Sequence, residues 1–262
     1  MSLFDFEGRV IRRYSEKMEE FDGDDVMDLE NIRGKPVITG NEDTVYKLSG
    51  NFQDRTIKLI KLDYKNKIAK IYDMPGLDEL PHFTTLYITD KSMNVTSSKE
   101  KINQYGNRII FSSNAFSDLY ILNIVKDSLY RVSYTPRLTE ASKKGGYPQK
   151  VGSKSEFDQL YTNINEEVSF MAPIWDKDNN LFYRFSYETF EYDNLSEDGP
   201  KTWSKVYLTI FDDKFNILRE SFLEELKRPP ASPFVKNGNI WTFANVNDEL
   251  GFAIFKVDFN PK

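Results

Sequence analysis

The sequence repeats one local pattern five times: a short run of alternating apolar and polar residues, a polar turn, and a second alternating run. Such alternation buries one face of a β-strand, while Asp, Asn, Lys and Gly favour tight turns. Each copy therefore predicts a β-hairpin, and the fifth copy continues to the end of the chain. The copies cover residues 3–11, 60–68, 122–130, 208–217 and 254–260.

A second element, a polar turn followed by one strand, lies between the hairpins. It is found at residues 33–38, 105–111, 178–183 and 237–243. A turn, an inner strand, a connection and a hairpin together make the three or four strands of a propeller blade. The repeat is longer than the about 40–50 residues of compact propellers, because residues 136–169 and 188–202 form insertions.

These patterns predict an all-β, antiparallel, β-propeller-like fold with four to five recognisable blades, and a single domain over residues 1–262. A propeller must close to hide its strand edges. Because the chain starts and stops within hairpins, we expect an incomplete six-bladed propeller that lacks upstream sequence. The alternative is a non-repetitive β-sandwich with similar hairpins. One helix is predicted at residues 155–161, with a cap formed by Ser155 and Asp158.

Composition excludes several classes of protein. Aromatic residues make up 15% of the chain, which favours sheet, and the net charge of −6 argues against a nucleic-acid partner. There is no cysteine, so disulfides and thiolate metal sites are excluded, and we predict no cofactor and no metal. No apolar run reaches the about 20 residues of a membrane span, and the first residues do not have the regions of an export signal.

The longest insertion contains the most prominent candidate for binding. The segment Lys143-Lys144-Gly145-Gly146-Tyr147-Pro148 combines two cations, a flexible Gly pair and an aromatic ring. Long insertions on rigid scaffolds often carry recognition. We therefore predict a binding site at Arg137, Lys143, Lys144 and Tyr147, with a flexible surface loop as the alternative.

Other motifs have simpler interpretations. The segment Asp176-Lys177-Asp178-Asn179-Asn180 begins like a calcium loop, but Leu181 and Tyr187 occupy the positions that require Gly and Glu. We interpret it as a hairpin turn. His82 is the sole histidine and is interpreted as a loop side chain. Paired carboxylates could catalyse glycan cleavage, but the sequence does not nominate a pair among its 41 acidic residues.

Several segments of the chain carry a family resemblance. Residues 169–176, 180–186, 206–220, 233–241 and 247–252 resemble a Bacteroides-type family of unknown function, whose members look like six-bladed, TolB-like propeller lipoproteins. The resemblance implies an exported, lipidated precursor with additional blades before this start. It implies a location in the periplasm or at the cell surface. It supplies no catalytic residues.

Two functional hypotheses follow. The first is a non-enzymatic propeller that acts as a binding scaffold for a protein or a glycan at the cell envelope. The second is a carboxylate-dependent glycan hydrolase or lyase with its site in the propeller channel. Two or three carboxylates that converge in that channel with raised pKa values would favour the second hypothesis. A channel mouth lined by aromatics and Lys or Arg, without convergent acids, would favour the first.

Overall fold

The computed structural model describes residues 2–4, 7–14, 17–24, 33–39, 42–49, 57–78, 82–196, 199–246 and 249–257. Parts of the first and fifth predicted hairpins, residues 5–6 and 258–260, lie outside them. Strands dominate, and their pairing is mostly antiparallel. The prediction of an all-β chain is therefore confirmed, whereas the arrangement of the sheets as blades stays a prediction.

The chain divides into two compact units. The first comprises residues 1–80, 101–110 and 120–131, and the second comprises residues 81–100, 111–119 and 132–262. Each unit contains several small sheets built from strands that are close in sequence. The prediction of a single domain over residues 1–262 stays a prediction.

The first unit contains a two-stranded and a five-stranded sheet. The two-stranded sheet pairs β1 (Ser2–Phe4) with β2 (Val10–Arg13). The five-stranded sheet has the order β3-β7-β6-β5-β4 and is antiparallel except where β3 pairs with β7. Its strands are β3 (Asp22–Gly23), β4 (Arg33–Ile38), β5 (Thr44–Ser49), β6 (Lys58–Asp63) and β7 (Ile68–Tyr72).

A four-stranded sheet, most of which belongs to the first unit, follows the same local order. Its strands lie side by side in chain order: β10 (Glu100–Tyr105), β11 (Arg108–Ser113), β12 (Leu119–Asn123) and β13 (Ser128–Val132). The predicted hairpin at residues 122–130 is its last pair. Within the first unit, Asp127 accepts hydrogen bonds from Lys61, Lys70 and Tyr72, which pins this hairpin turn to β6 and β7.

The second unit contains the remaining strands. A two-stranded sheet pairs β8 (Thr85–Ile88) with β9 (Met93–Thr96). A five-stranded sheet contains β14 (Ser169–Phe170), β15 (Ile174–Asp176), β16 (Leu181–Ser196), β17 (Gly199–Phe211) and β18 (Ile217–Phe222). A three-stranded sheet contains β19 (Ala231–Lys236), β20 (Asn239–Val246) and β21 (Glu249–Lys256).

The core of the second unit forms on one face of β16 and β17. Period-2 alternation directs residues 181, 183 and 185 of β16 to the same face, where all three are buried. They pack with alternate residues of β17 and with Ile240 of β20. Further along this β16 face, Tyr187 packs against the edge of the core, and Tyr187 and Thr189 are both half-buried.

Arg184, on the opposite face of β16, organises the loop that follows β11. Its side chain is 1% exposed and donates hydrogen bonds to the carbonyl oxygens of Ser113, Phe116 and Ser117. Further bonds go to the Met171 carbonyl oxygen and the Tyr134 hydroxyl, both at 2.8 Å. A buried charge that is saturated with hydrogen bonds fixes the geometry around it. Arg184 therefore holds the loop at residues 113–117 in place.

The helix α1 (Lys154–Glu166) is longer than predicted and begins earlier. Its N-cap is Ser153, whose side chain accepts a hydrogen bond from the Glu156 backbone N–H at 3.1 Å. Glu156 in turn accepts a bond from the Gly152 N–H at 3.0 Å. The prediction of Ser155 as the cap was wrong because the same Ser-x-x-acid spacing occurs two residues earlier, at Ser153 and Glu156.

Hairpin turns share one hydrogen-bonding pattern. Asp63 ends β6, and its Oδ1 accepts bonds from the backbone N–H groups of Lys65 and Asn66, while Oδ2 accepts from the Asn66 amide. Asp176 and Asp212 do the same at the ends of β15 and β17. A residue with positive φ completes each turn, as it also does after β12. These residues are Lys67, Asp127, Asn180 and Phe215.

Candidate functional site

A pocket of about 230 Å³ lies within the second unit. Seven parts of the chain contribute to it: the residues before β8, the end of β9 with the following loop, the loop after β11, the loop after β13, the second half of α1, β14, and β16. Most of its lining is polar. Seven of its lining residues carry a hydroxyl group: Thr96, Ser97, Ser98, Tyr161, Ser169, Tyr187 and Thr189.

Amide, apolar and cationic side chains complete the described lining. The amides are those of Asn114 and Asn165. The apolar contribution comes from three side chains, and the cations are the two lysines at positions 99 and 143. The apolar members are Phe83, Val95 and Ile164.

Strand pairing places several of these groups next to one another. Ser169 of β14 pairs with Tyr187 of β16, and Thr189 lies two residues further on the same face. Burial raises the pKa of Tyr187, and the hydrogen bond with Ser169 partly offsets this shift. The Thr189 hydroxyl lies 3.0 Å from that of Ser204. Each hydroxyl is therefore positioned by a neighbour on the sheet.

Two hydrogen bonds between Lys99 and Asn114 fix the wall formed by the loops after β9 and β11. The Lys99 N–H donates to the Asn114 side-chain oxygen at 2.6 Å, and the Asn114 N–H donates to the Lys99 carbonyl oxygen at 3.1 Å. The Ser98 hydroxyl donates to Glu100. These bonds fix the backbone around three lining residues and leave the Lys99 side chain exposed.

Lys143 lies in the lining, and its ammonium group binds the end of α1. The residue is 5% exposed, and its Nζ donates to the carbonyl oxygens of Ile164 at 2.8 Å and Glu167 at 3.3 Å. These carbonyls end α1, where the helix dipole favours a cation. Burial lowers the pKa of Lys143 to about 8, against the opposing effect of the Glu167 carboxylate.

Glu167 contacts three of the four residues that the sequence predicts as a binding site. Besides its carbonyl contact with Lys143, its carboxylate accepts bonds from the Lys144 N–H at 2.9 Å and the Tyr147 hydroxyl at 2.5 Å. Burial and this hydrogen bond raise the pKa of Tyr147. The predicted binding segment therefore docks on the end of α1.

Arg137 lies apart from these three residues. Its backbone N–H donates to the Glu220 carboxylate at 2.9 Å, and it is not among the described residues that line the pocket. Of the predicted set, Lys143 alone belongs to that described lining. The prediction that Arg137, Lys143, Lys144 and Tyr147 bind a ligand stays a prediction.

The insertion is tied down along its length rather than loose. Backbone bonds join the Lys143 N–H to the Ala115 carbonyl oxygen at 2.8 Å and the Gly146 N–H to the His82 carbonyl oxygen at 2.9 Å. Gly146 adopts a φ of 67°, which glycine tolerates without strain. These bonds hold the segment in a fixed position beside the pocket. His82 itself is an exposed loop residue, as predicted.

Carboxylates do not converge on the pocket. Its described lining contains no Asp or Glu. Among the described residues, no group of three or more His, Asp or Glu side chains is placed to hold a metal ion. The segment at residues 176–180 is the hairpin turn predicted for it, with Asp176 occupied by the Asn179 amide and the Tyr183 hydroxyl. Over the same residues, no helix is long and apolar enough to cross a membrane.

Most lining residues were not predicted from the sequence. The run Thr96-Ser97-Ser98-Lys99, with four consecutive polar residues after a strand, is the one local signal that could have drawn attention. The other members are scattered along the chain between Phe83 and Thr189, and they converge through tertiary structure alone.

Comparisons with known proteins identify relatives of the fold. A family model described as "Domain of unknown function (DUF4221)" matches residues 1–222. A search of curated proteins found no match. The 1.75 Å crystal structure of a DUF4221 family member from Bacteroides vulgatus ATCC 8482 is similar with a TM-score of 0.57. That likeness covers 98% of this chain and 72% of the other at 14% identity, so it concerns the fold alone.

A second solved structure, of a luciferin-regenerating enzyme, is much less similar. Its TM-score is 0.25 at 10% identity, over 90% of this chain and 79% of the other. Similarity at this level says nothing about fold or activity.

Proposed function

This chain belongs to the DUF4221 family of unknown function, and we propose that it is a binding scaffold of the cell envelope rather than an enzyme. Its ligand is a small polar group, carried by a glycan or a protein, that enters the pocket of the second unit. The observation that carries the proposal is the lining itself, which offers hydroxyl and amide groups and, among the described residues, no carboxylate.

The chemistry of the lining favours binding over catalysis. Hydrolases and lyases of the carboxylate type place two acids about 5–10 Å apart around the scissile bond. No such pair is found among the described lining residues. Hydroxyls and amides both donate and accept hydrogen bonds, so they suit recognition without supplying a strong base. The lining is therefore better suited to a scaffold than to an enzyme.

We also propose that the sheets of this chain are blades of a β-propeller. The shared turn geometry after β6, β12, β15 and β17 supports repeated blades of one kind. The resemblance to TolB-like lipoproteins supports export and a periplasmic or surface location. A propeller would present such a pocket on a rigid framework.

Ligand-observed NMR tests the proposal. The probes are a mixture of methyl pyranosides and N-acetyl amino-acid amides, added at millimolar concentration to the full chain. We expect at least one probe to bind and to be recovered unchanged. Its binding signal should disappear in the variant Asn165→Trp, in which the larger side chain fills the pocket. Hydrolysis of nitrophenyl glycosides by the protein, or probe binding that is unchanged in Asn165→Trp, contradicts the proposal.

A further inference from the structure

We infer that the pocket of the second unit accepts one uncharged six-membered sugar ring, as the terminal residue of a glycan. This inference rests on the proposed binding function and specifies its ligand. It is carried by three properties of the lining: its hydrogen-bonding chemistry, its charge and its size.

The hydrogen-bonding groups match those of a sugar. A pyranose presents hydroxyls that each donate and accept, and the lining contains seven hydroxyls and two amides of the same kind. Five of these groups, those of Ser98, Asn114, Ser169, Tyr187 and Thr189, already share one hydrogen bond with a protein neighbour and keep further capacity for a ligand. An anion would require a surplus of fixed donors, and a cation would require carboxylates. Asn165, half-buried near the end of α1, and Asn114, fixed by the Lys99 backbone, lie on different walls.

The cations of the lining do not make it an anion site. The Lys143 ammonium is occupied by the Ile164 and Glu167 carbonyl oxygens and lies in the field of the Glu167 carboxylate. Lys99 is exposed, so water screens its charge. A charged ligand would therefore lose its hydration without gaining a fixed counter-charge, which is costly.

Size and shape limit the ligand to one ring. The volume of about 230 Å³ is below the about 300–1,000 Å³ of sites for drug-sized molecules. Phe83 and Tyr187 give the lining aromatic faces against which the C–H groups of a sugar ring can pack. Tyr161, 47% exposed, stacks on Phe157 at 6.3 Å and stands at the solvent side. A glycan would thus enter end first.

Calorimetric titration with matched sugars tests the inference. The probes are methyl glucoside, methyl galactoside, methyl mannoside and methyl N-acetylglucosaminide, with methyl glucuronide and methyl glucosaminide as charged analogues. A ligand of this size at ordinary efficiency binds with a dissociation constant on the order of 1 mM. We expect at least one neutral sugar to bind and its charged analogues to bind at least tenfold more weakly.

Matched variants locate the binding. Asn165→Leu removes a lining amide and should weaken sugar binding at least tenfold. Asn163→Leu, on the same helix but exposed and outside the described lining, should change it less than twofold. The melting temperature of each variant shows whether it has folded, and Asn165→Asp, which adds a charge to the lining, gives a second readout that preserves side-chain volume.

The outcomes separate this inference from the proposed function. If charged analogues bind as tightly as neutral ones, or amino-acid amides bind in the pocket and no sugar does, the sugar inference is overturned and the scaffold proposal survives. If no probe of either kind binds, both fail. Sugar binding that Asn165→Leu and Asn165→Asp leave unchanged overturns the location of the site.

Discussion

Arg184 shows how a single residue can determine the geometry of a distant wall. Its guanidinium contacts four backbone carbonyls and the Tyr134 hydroxyl, and its Cζ lies 4.9 Å from the Phe170 ring centroid. Such contacts involve residues up to 71 positions away. The loop they hold carries Asn114, so Arg184 positions the pocket without lining it.

Replacement of Arg184 should be strongly destabilising. Arg184→Met leaves buried carbonyl oxygens without donors, and we expect the free energy of unfolding to fall by at least about 3 kcal/mol. Arg219→Met, at an exposed position of β18, should change it by less than about 0.5 kcal/mol. Urea denaturation measures both. Equal effects of the two substitutions would show that the buried network contributes nothing.

Lys143 should give the chain a distinctive dependence on pH. Its folded pKa of about 8 lies below the ordinary 10.5, so between these values the unfolded chain binds a proton that the folded chain has lost. Stability therefore rises with pH in this window. We expect the advantage of the wild type over Lys143→Met to be about 2 kcal/mol larger at pH 9.5 than at pH 7.5.

The neighbouring lysine provides the control for this prediction. Lys144 is exposed, and the difference between the wild type and Lys144→Met should stay constant over the same pH range. Urea denaturation at both pH values measures each difference. Parallel curves for the wild type and Lys143→Met would contradict the assignment of a buried, shifted amine.

At the scale of elements, the start of α1 tests the corrected cap. Ser153→Ala removes the acceptor for the Glu156 N–H and should lower the free energy of unfolding by about 1 kcal/mol. Ser155→Ala, within the first turn, should lower it by less than about 0.5 kcal/mol. Thermal denaturation distinguishes the two. A larger effect at Ser155 would restore the cap predicted from sequence.

The turn after β15 makes a comparable prediction. Asp176 is fully buried and accepts bonds from the Asn179 amide and the Tyr183 hydroxyl, so Asp176→Ala should cost about 2–3 kcal/mol. Asp178→Ala, exposed in the same turn, should be nearly neutral. Chemical denaturation gives both values. A rise in melting temperature on adding calcium would contradict the interpretation as a hairpin turn.

Elements with strong local signals could be predicted from the sequence, and groups assembled from distant strands could not. The hairpins at residues 60–68, 122–130 and 208–217 were predicted because alternation and turn residues act within about ten positions. The end of α1 was missed because its carbonyls are capped by Lys143, from outside the helix. Local pattern carries no information about such a partner.

The candidate site was the least predictable part. The sequence predicts a binding site around Lys143, which does belong to the lining, but its ammonium group donates to a carbonyl oxygen at the end of α1. Glu167 organises that segment, but nothing in the sequence distinguishes it among 41 acidic residues. Convergence of Thr96, Asn165 and Thr189 depends on sheet register and helix docking, which composition does not encode.

At the scale of the whole molecule, the net charge of the chain differs from the charge of the residues that line its pocket. The chain carries a net charge of −6, but the described lining contains no acid. A neutral sugar does not respond to this overall field, whereas a charged ligand does. We expect the sugar dissociation constant to change less than about twofold between low and high salt. Calorimetry checks this, and a tenfold change would contradict recognition of a neutral ring by uncharged groups of the lining.

The polar pocket of the second unit is where we propose that this DUF4221 protein holds its ligand. A crystal structure of the chain soaked with the methyl pyranoside that binds most tightly would show the position of that ligand. We predict one sugar ring between Asn114 of the loop and Asn165 of α1, with Tyr187 against its face. An empty pocket, with the sugar bound elsewhere on the chain, would contradict the proposal.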